Sequence, residues 1–118
     1  MAEPRIIQPG DIYWLRRETP GGVEADIPHP YVVLREPDPQ TVLVCALTSN
    51  MKRLAWPGNL LLEAGEANLP RPSMVEVSKV STLAKTELGD YIGSLDERRI
   101  QQIVAGIRFL QTSYFDRE

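Results

Sequence analysis

Six apolar residues in a row, Val42-Leu43-Val44-Cys45-Ala46-Leu47, are followed at once by three polar ones, Thr48-Ser49-Asn50. No other stretch limits the possible folds as much. A continuous apolar run with β-branched residues and no Gly or Pro reads as a strand buried on both faces. Six residues between turn signals is also shorter than a typical helix. Residues 42–47 are therefore expected to form a central strand, with Thr48, Ser49 and Asn50 leaving the core together at its end. Small hydrogen-bonding side chains at the mouth of a rigid strand either position a ligand or only satisfy the turn, as Ser and Asn commonly do.

Upstream, Tyr31-Val32-Val33-Leu34 reads as a second buried strand, and Glu36-Pro37-Asp38-Pro39-Gln40 as the turn between the two. In the resulting antiparallel hairpin the start of one strand lies beside the end of the other. His29 and the Thr48-Ser49 pair are thus expected at one edge of the sheet. His29 stands between Pro28 and Pro30, which fix the backbone on both sides of it and remove two N–H donors.

The rest of the chain supplies short strands and polar loops. Ile12-Tyr13-Trp14-Leu15 is rich in β formers; Tyr13 and Trp14 alternate, so at most one of them faces outward. Residues 16–27 form a long polar loop with Arg16, Arg17, Glu24 and Asp26. A second loop, 51–57, carries Lys52, Arg53 and Trp56. Residues 59–62 read as a short strand, and 63–73 as a loop with one helical turn. Two strand pieces, 74–77 and 80–83, flank Ser78 and Lys79, and 89–93 is a last strand between glycines.

The one clear helix is C-terminal. Ser94 with Glu97 three residues later gives a capping-box pattern. Ile100, Ile103, Val104, Ile107 and Leu110 recur at three- and four-residue steps and mark one apolar face, running to about Thr112. Gly106 lies inside that span, where Gly costs about 1 kcal/mol relative to Ala, so it is expected to mark a close packing contact.

The 118 residues fit one domain spanning 1–118, with 1–9 as a loose leader. No apolar run approaches the ~20 residues of a membrane span, and residues 1–5 lack the apolar core of a signal peptide. A cytoplasmic chain with no membrane association is expected. One Cys and one His exclude a standard structural zinc site. A net charge of −3 argues against a protein that coats nucleic acid, so any nucleic-acid site must be a local basic patch. Many short strands and one terminal helix point to a mainly β fold, a small bent sheet or partly open barrel.

Several stretches, in order, resemble the MazF/PemK toxins of bacterial toxin–antitoxin modules. They are Gly10-Asp11-Ile12-Tyr13-Trp14, Pro30-Tyr31-Val32-Val33-Leu34, Leu47-Thr48-Ser49-Asn50 and Pro57-Gly58-Asn59. They continue with Gly65-Glu66-Ala67-Asn68-Leu69-Pro70, residues 77–83 and Ile92-Gly93-Ser94-Leu95. The resemblance runs from about Gly10 to Gln111. It implies an SH3-like barrel with a C-terminal helix, assembled as a homodimer. It also implies a metal-independent endoribonuclease with no cofactor, a hydrolase that cuts single-stranded RNA at short sequences. Such toxins are neutralised by a cognate antitoxin whose disordered tail occupies the RNA groove. Where many members carry a catalytic Arg before the Pro, this chain has His29; their Asp-Gln or Ser-Gln is Ser78-Lys79 here, and Glu87 replaces a further Arg.

Metal-free RNA cleavage uses the neighbouring 2′-hydroxyl as nucleophile. It needs a base for that hydroxyl, an acid for the leaving 5′-oxygen and donors for the charge building on the phosphate. Imidazole can serve as acid or base at cellular pH, and His29 is the only His. Thr48 and Ser49 offer hydroxyl donors. His29, Thr48 and Ser49 are therefore the candidate catalytic residues. Arg16, Arg17, Glu24, Asn50, Lys52, Arg53, Trp56, Ser78 and Lys79 are the candidate RNA-binding residues. Arg suits bidentate phosphate contacts, and Trp suits stacking on bases. Glu24 or Asp26 can serve as base or orient the imidazole. The competing expectation is a catalytically silent RNA- or peptide-binding module on the same barrel.

Overall fold

The computed structural model describes residues 6–16 and 29–115. Within them lie β1 (Asp11–Leu15), β2 (Pro30–Asp38), β3 (Thr41–Thr48), β4 (Leu60–Leu62), β5 (Ser73–Ala84), β6 (Leu88–Ser94) and α1 (Glu97–Phe115). The strands form one antiparallel sheet in the order β4-β5-β3-β2-β1-β6. The apolar run is central, as its composition requires: β3 pairs with β2 on one side and β5 on the other. Its side chains feed two cores. Cys45 and Leu47 pack on one face with Ile12, Val32, Val75, Val77, Leu95 and Ile103 of α1. Val42 and Val44 pack on the other with Tyr13 and Val33.

The predicted turn between the first two buried strands is shorter in the structure. Strand β2 continues through Glu36 and Pro37 to Asp38, leaving Pro39 and Gln40 as the turn. The β2–β3 register shifts on both sides of Arg35, and Pro37, which has no N–H to offer a ladder, falls in the second irregular stretch. The Asp38 carboxylate accepts from the Gln40 N–H and the Thr41 hydroxyl, each at 2.8 Å, and closes the turn. The same two donors, Gln40 first, hold its carboxyl below the usual carboxylate range.

The strands curl into a partly open barrel. The edge at β4 does not pair with the edge at β6; instead the 3₁₀ turn Glu66–Asn68 bridges them. Asn68 Nδ2 donates to the Ile92 carbonyl at 3.1 Å. Gly93 makes that approach possible, because a Cβ there would collide with the Ala67 carbonyl. Arg99 of α1 grips Glu66 with two hydrogen bonds of 2.6 and 2.9 Å, and this pairing raises the Arg99 pKa.

The helix starts later than the capping-box pattern predicts. Asp96, not Ser94, is the cap: its Oδ1 accepts the Arg99 N–H at 3.0 Å. Ser94 is instead the last residue of β6, and its hydroxyl donates to buried Asp11 at 2.7 Å. Gly106 does mark a close contact. It packs on Gly58, whose carbonyl would lie 2.5 Å from a Cβ at position 106. Tyr13 is core and Trp14 is partly exposed, as alternation requires. Among the described residues no helix is long and apolar enough to cross a membrane.

Candidate active site

The two predicted pieces around Ser78 and Lys79 are one strand, β5, interrupted by a bulge. Adjacent residues Cys45 and Ala46 of β3 pair with Val80 and Glu76, so Val77, Ser78 and Lys79 have no partners in that ladder. A bulge bends its strand and re-aims its side chains. Asn59 secures this one: its Oδ1 accepts the Val77 N–H at 3.1 Å and its Nδ2 donates to the Arg53 carbonyl at 2.9 Å. One side chain thus ties the 51–57 loop to the bulge. On the β3 side the Cys45 thiol donates to the Glu76 carbonyl at 3.0 Å. Burial, and then the charge of Glu76, push that thiol up to about 12, so it stays a donor.

Beside the bulge lies a cavity of about 440 Å³. Its floor is one face of three strands: Tyr31 of β2, Ala46 and Thr48 of β3, Met74 and Glu76 of β5. Directly paired residues point to the same side of a sheet, and Tyr31–Ala46–Glu76 and Thr48–Met74 are such pairs. His29 enters from the start of β2. Asn50, Lys52 and Arg53 come from the loop after β3, and Lys79 from the bulge. Three cations and one carboxylate line this cavity in a chain whose net charge is −3. The local basic patch that a nucleic-acid site would need is therefore present.

The end of β3 does two things at once. Thr48 does not leave the core as expected: it is the last residue of the strand and is buried. Its Oγ1 accepts the Asn50 N–H at 3.1 Å, while Asn50 Oδ1 accepts the Lys52 N–H at 3.0 Å. Both side chains satisfy the turn and both line the cavity. A hydroxyl that accepts one bond keeps its own hydrogen as a donor. Arg53 lies over the Trp56 ring, 4.7 Å from its centroid, and 3.8 Å from Glu76 Oε2. Lys79 Nζ is 3.6 Å from the same oxygen.

Of the residues singled out from sequence, the cavity gathers His29, Thr48, Asn50, Lys52, Arg53 and Lys79. Ser49 is exposed and outside the lining, as is Ser78 in the bulge. Trp56 is outside the lining and lies under Arg53. Arg16 is exposed beyond β1, with its backbone N–H on the Glu87 carbonyl. Arg17, Glu24 and Asp26 lie outside the described residues. Sequence reasoning passed over Tyr31, Met74 and Glu76 as lining residues. Glu76 left a signal: within Met74-Val75-Glu76-Val77 the two valines enter the core, so alternation turns Glu76 to the other face with Met74.

Comparison with known proteins shows the family and the fold. Residues 8–110 match the family described as PemK-like, MazF-like toxin of type II toxin-antitoxin system. The chain is 33% identical over 109 residues to endoribonuclease MazF2 of Mycobacterium bovis, covering 87% of this chain and 95% of the relative. The same figures hold for endoribonuclease MazF6 of Mycobacterium tuberculosis. A mycobacterial endoribonuclease solved with its cognate antitoxin superposes with a TM-score of 0.65 at 19% identity, over 86% of this chain and 91% of that one. The Mycobacterium tuberculosis toxin MazF-mt6 gives 0.63 at 22% identity, over 82% and 91%. At those identities the two structures show the shared fold.

Proposed function

The chain belongs to the PemK-like, MazF-like family of type II toxins, and from that premise we propose that it is an endoribonuclease toxin neutralised by a cognate antitoxin. Its substrate is single-stranded RNA, cut at a short recurring sequence. The observation that carries this reading is the convergence of the only His, a strand-end hydroxyl and three cations on one cavity of an acidic chain.

The chemistry follows from what those groups can do. The 2′-hydroxyl attacks the adjacent phosphorus and loses its proton; the bond to the 5′-oxygen breaks, and that oxygen gains a proton. The products are a 2′,3′-cyclic phosphate and a 5′-hydroxyl end, with no metal in the proton bookkeeping. His29 carries one of the two protons. Thr48 donates its hydroxyl hydrogen to a non-bridging phosphate oxygen, held in place by its bond from Asn50. Arg53 and Lys79 meet the charge that builds on the phosphate. Arg53 stacked on Trp56 is pre-oriented for that contact.

The protein works in the cytoplasm, where its RNA and its antitoxin are. The antitoxin's extended tail competes for the same groove. Two copies form a homodimer, because one 13.3 kDa barrel offers only a short cavity for a long single strand. Inducing the chain in cells and sequencing RNA 5′ ends tests the function. Discrete 5′-hydroxyl ends at a recurring motif are expected; RNA ends that match those of uninduced cells would refute it.

A further inference from the structure

We propose that Glu76 is a base-reading residue that selects guanine in the cleaved RNA, an inference that rests on the endoribonuclease reading above. Its side chain is only 9% exposed, yet it lines the cavity rather than the core. Its contacts to Arg53 and Lys79 are 3.8 and 3.6 Å, beyond hydrogen-bond distance, and both cations are about half exposed. Among the described residues nothing donates a hydrogen bond to this carboxylate. The carboxylate oxygens face the cavity with acceptor capacity to spare, which a ligand entering there can fill with its own donors.

The floor beneath it fits a flat ring. Tyr31, Ala46 and Glu76 stand side by side on β2, β3 and β5. Neighbouring strands are about 4.8 Å apart, so Tyr31 and Glu76 flank the Ala46 methyl from roughly 10 Å apart. A base that settles over Ala46 has the Tyr31 ring to stack on, as single-stranded RNA bases do on aromatic side chains. Its Watson–Crick edge then faces Glu76. Guanine presents two adjacent donors there, N1–H and N2–H, matching the two carboxylate oxygens. Adenine and cytosine each place an acceptor beside their single donor, and uracil flanks its donor with two acceptors. Each would set a lone pair against the carboxylate.

The test pairs cleavage with binding. A randomised single-stranded RNA pool is cut by the wild type, by Glu76→Gln and by Glu76→Ala, and the ends are sequenced. The wild-type motif should contain guanine at one fixed position. Glu76→Gln swaps one acceptor for a donor, so preference there should move to adenine or cytosine, and Glu76→Ala should lose preference. A wild-type motif without guanine, or one unchanged in Glu76→Gln, overturns the assignment while leaving the enzyme standing. Separately, calorimetry compares guanosine and inosine 5′-monophosphates on the wild-type protein; inosine lacks the N2 amine. Guanosine monophosphate should bind tighter by on the order of tenfold, and equal affinity overturns the proposal. This arm needs no cleavage. A protein that cuts no RNA but prefers guanosine monophosphate would sink the endoribonuclease reading and keep the guanine site.

Discussion

Replacing Gly106 by Ala should destabilise this protein although Ala is the better helix former. The substitution gains about 1 kcal/mol of intrinsic helix propensity inside α1. Against it, the new Cβ would stand 2.5 Å from the Gly58 carbonyl oxygen and 3.2 Å from Val77 Cγ1, where ordinary contact begins near 3.4 Å. The carbonyl is backbone and cannot swing aside like a side chain, so the helix or the loop at Gly58 must retreat. Overpacking of this kind costs about 1–3 kcal/mol. The retreat also pulls on Asn59, whose bond to the Val77 N–H is worth about 1 kcal/mol. The net loss is about 1–2 kcal/mol, or a fall in Tm of roughly 4–10 °C for a chain of this size. Thermal and urea unfolding followed by circular dichroism measure it. Ala105→Gly, on the exposed side of the helix, is the reference and should lose only its propensity, about 1 kcal/mol. Combining Gly106→Ala with Asn59→Ala should give less than the sum of the two losses, because both act on one junction. A Gly106→Ala protein that melts higher than the wild type would show that the two glycines are not pressed together.

His29→Ala should cut cleavage by on the order of 10²–10⁴-fold and abolish one limb of the pH–rate profile. His29→Arg should restore activity only if the role is electrostatic, since Arg does not give up its proton; an Ala variant cleaving at the wild-type rate across the profile removes His29 from the mechanism. Thr48→Ala should lower cleavage per folded molecule while costing about 1 kcal/mol of stability, because the Asn50 N–H loses its acceptor. Activity that simply tracks the folded fraction would make Thr48 structural. Cys45, buried and with its pKa pushed up to about 12, should resist iodoacetamide in the native protein near pH 8 and react once denatured. Rapid native labelling, read by mass spectrometry, would contradict its burial. Light scattering should report twice 13.3 kDa, and a 13.3 kDa species at micromolar protein would count against the dimer.

What the sequence made legible was periodicity and composition. The central position of β3, the β2–β3 hairpin and the apolar face of α1 all follow from apolar spacing. Juxtaposition of His29 with Thr48 followed from hairpin geometry. Features decided by side-chain competition were not legible. Ser94 and Asp96 are both good caps, and only the sheet shows that Asp11 claims the Ser94 hydroxyl, leaving the helix to Asp96. The β5 bulge was invisible for a similar reason: Ser78-Lys79 reads as a break, whereas the acceptor that secures the bulged strand, for the Val77 N–H, comes from Asn59, 18 residues away. Glu76 was passed over because an acidic residue counts as solvated until its neighbours are known.

The bond between Ser94 and Asp11 joins residues 83 apart in the chain. During synthesis β1 emerges well before its partner β6. At about 5–20 residues per second, roughly 4–16 s separate the two. Throughout that interval one edge of β1 is an open template for other strands. The cavity is built from β2, β3 and β5 with their loops, all upstream of β6. The nascent chain therefore carries a nearly complete cavity wall before its barrel can close, and a partner that engages it early meets that cavity before the finished fold.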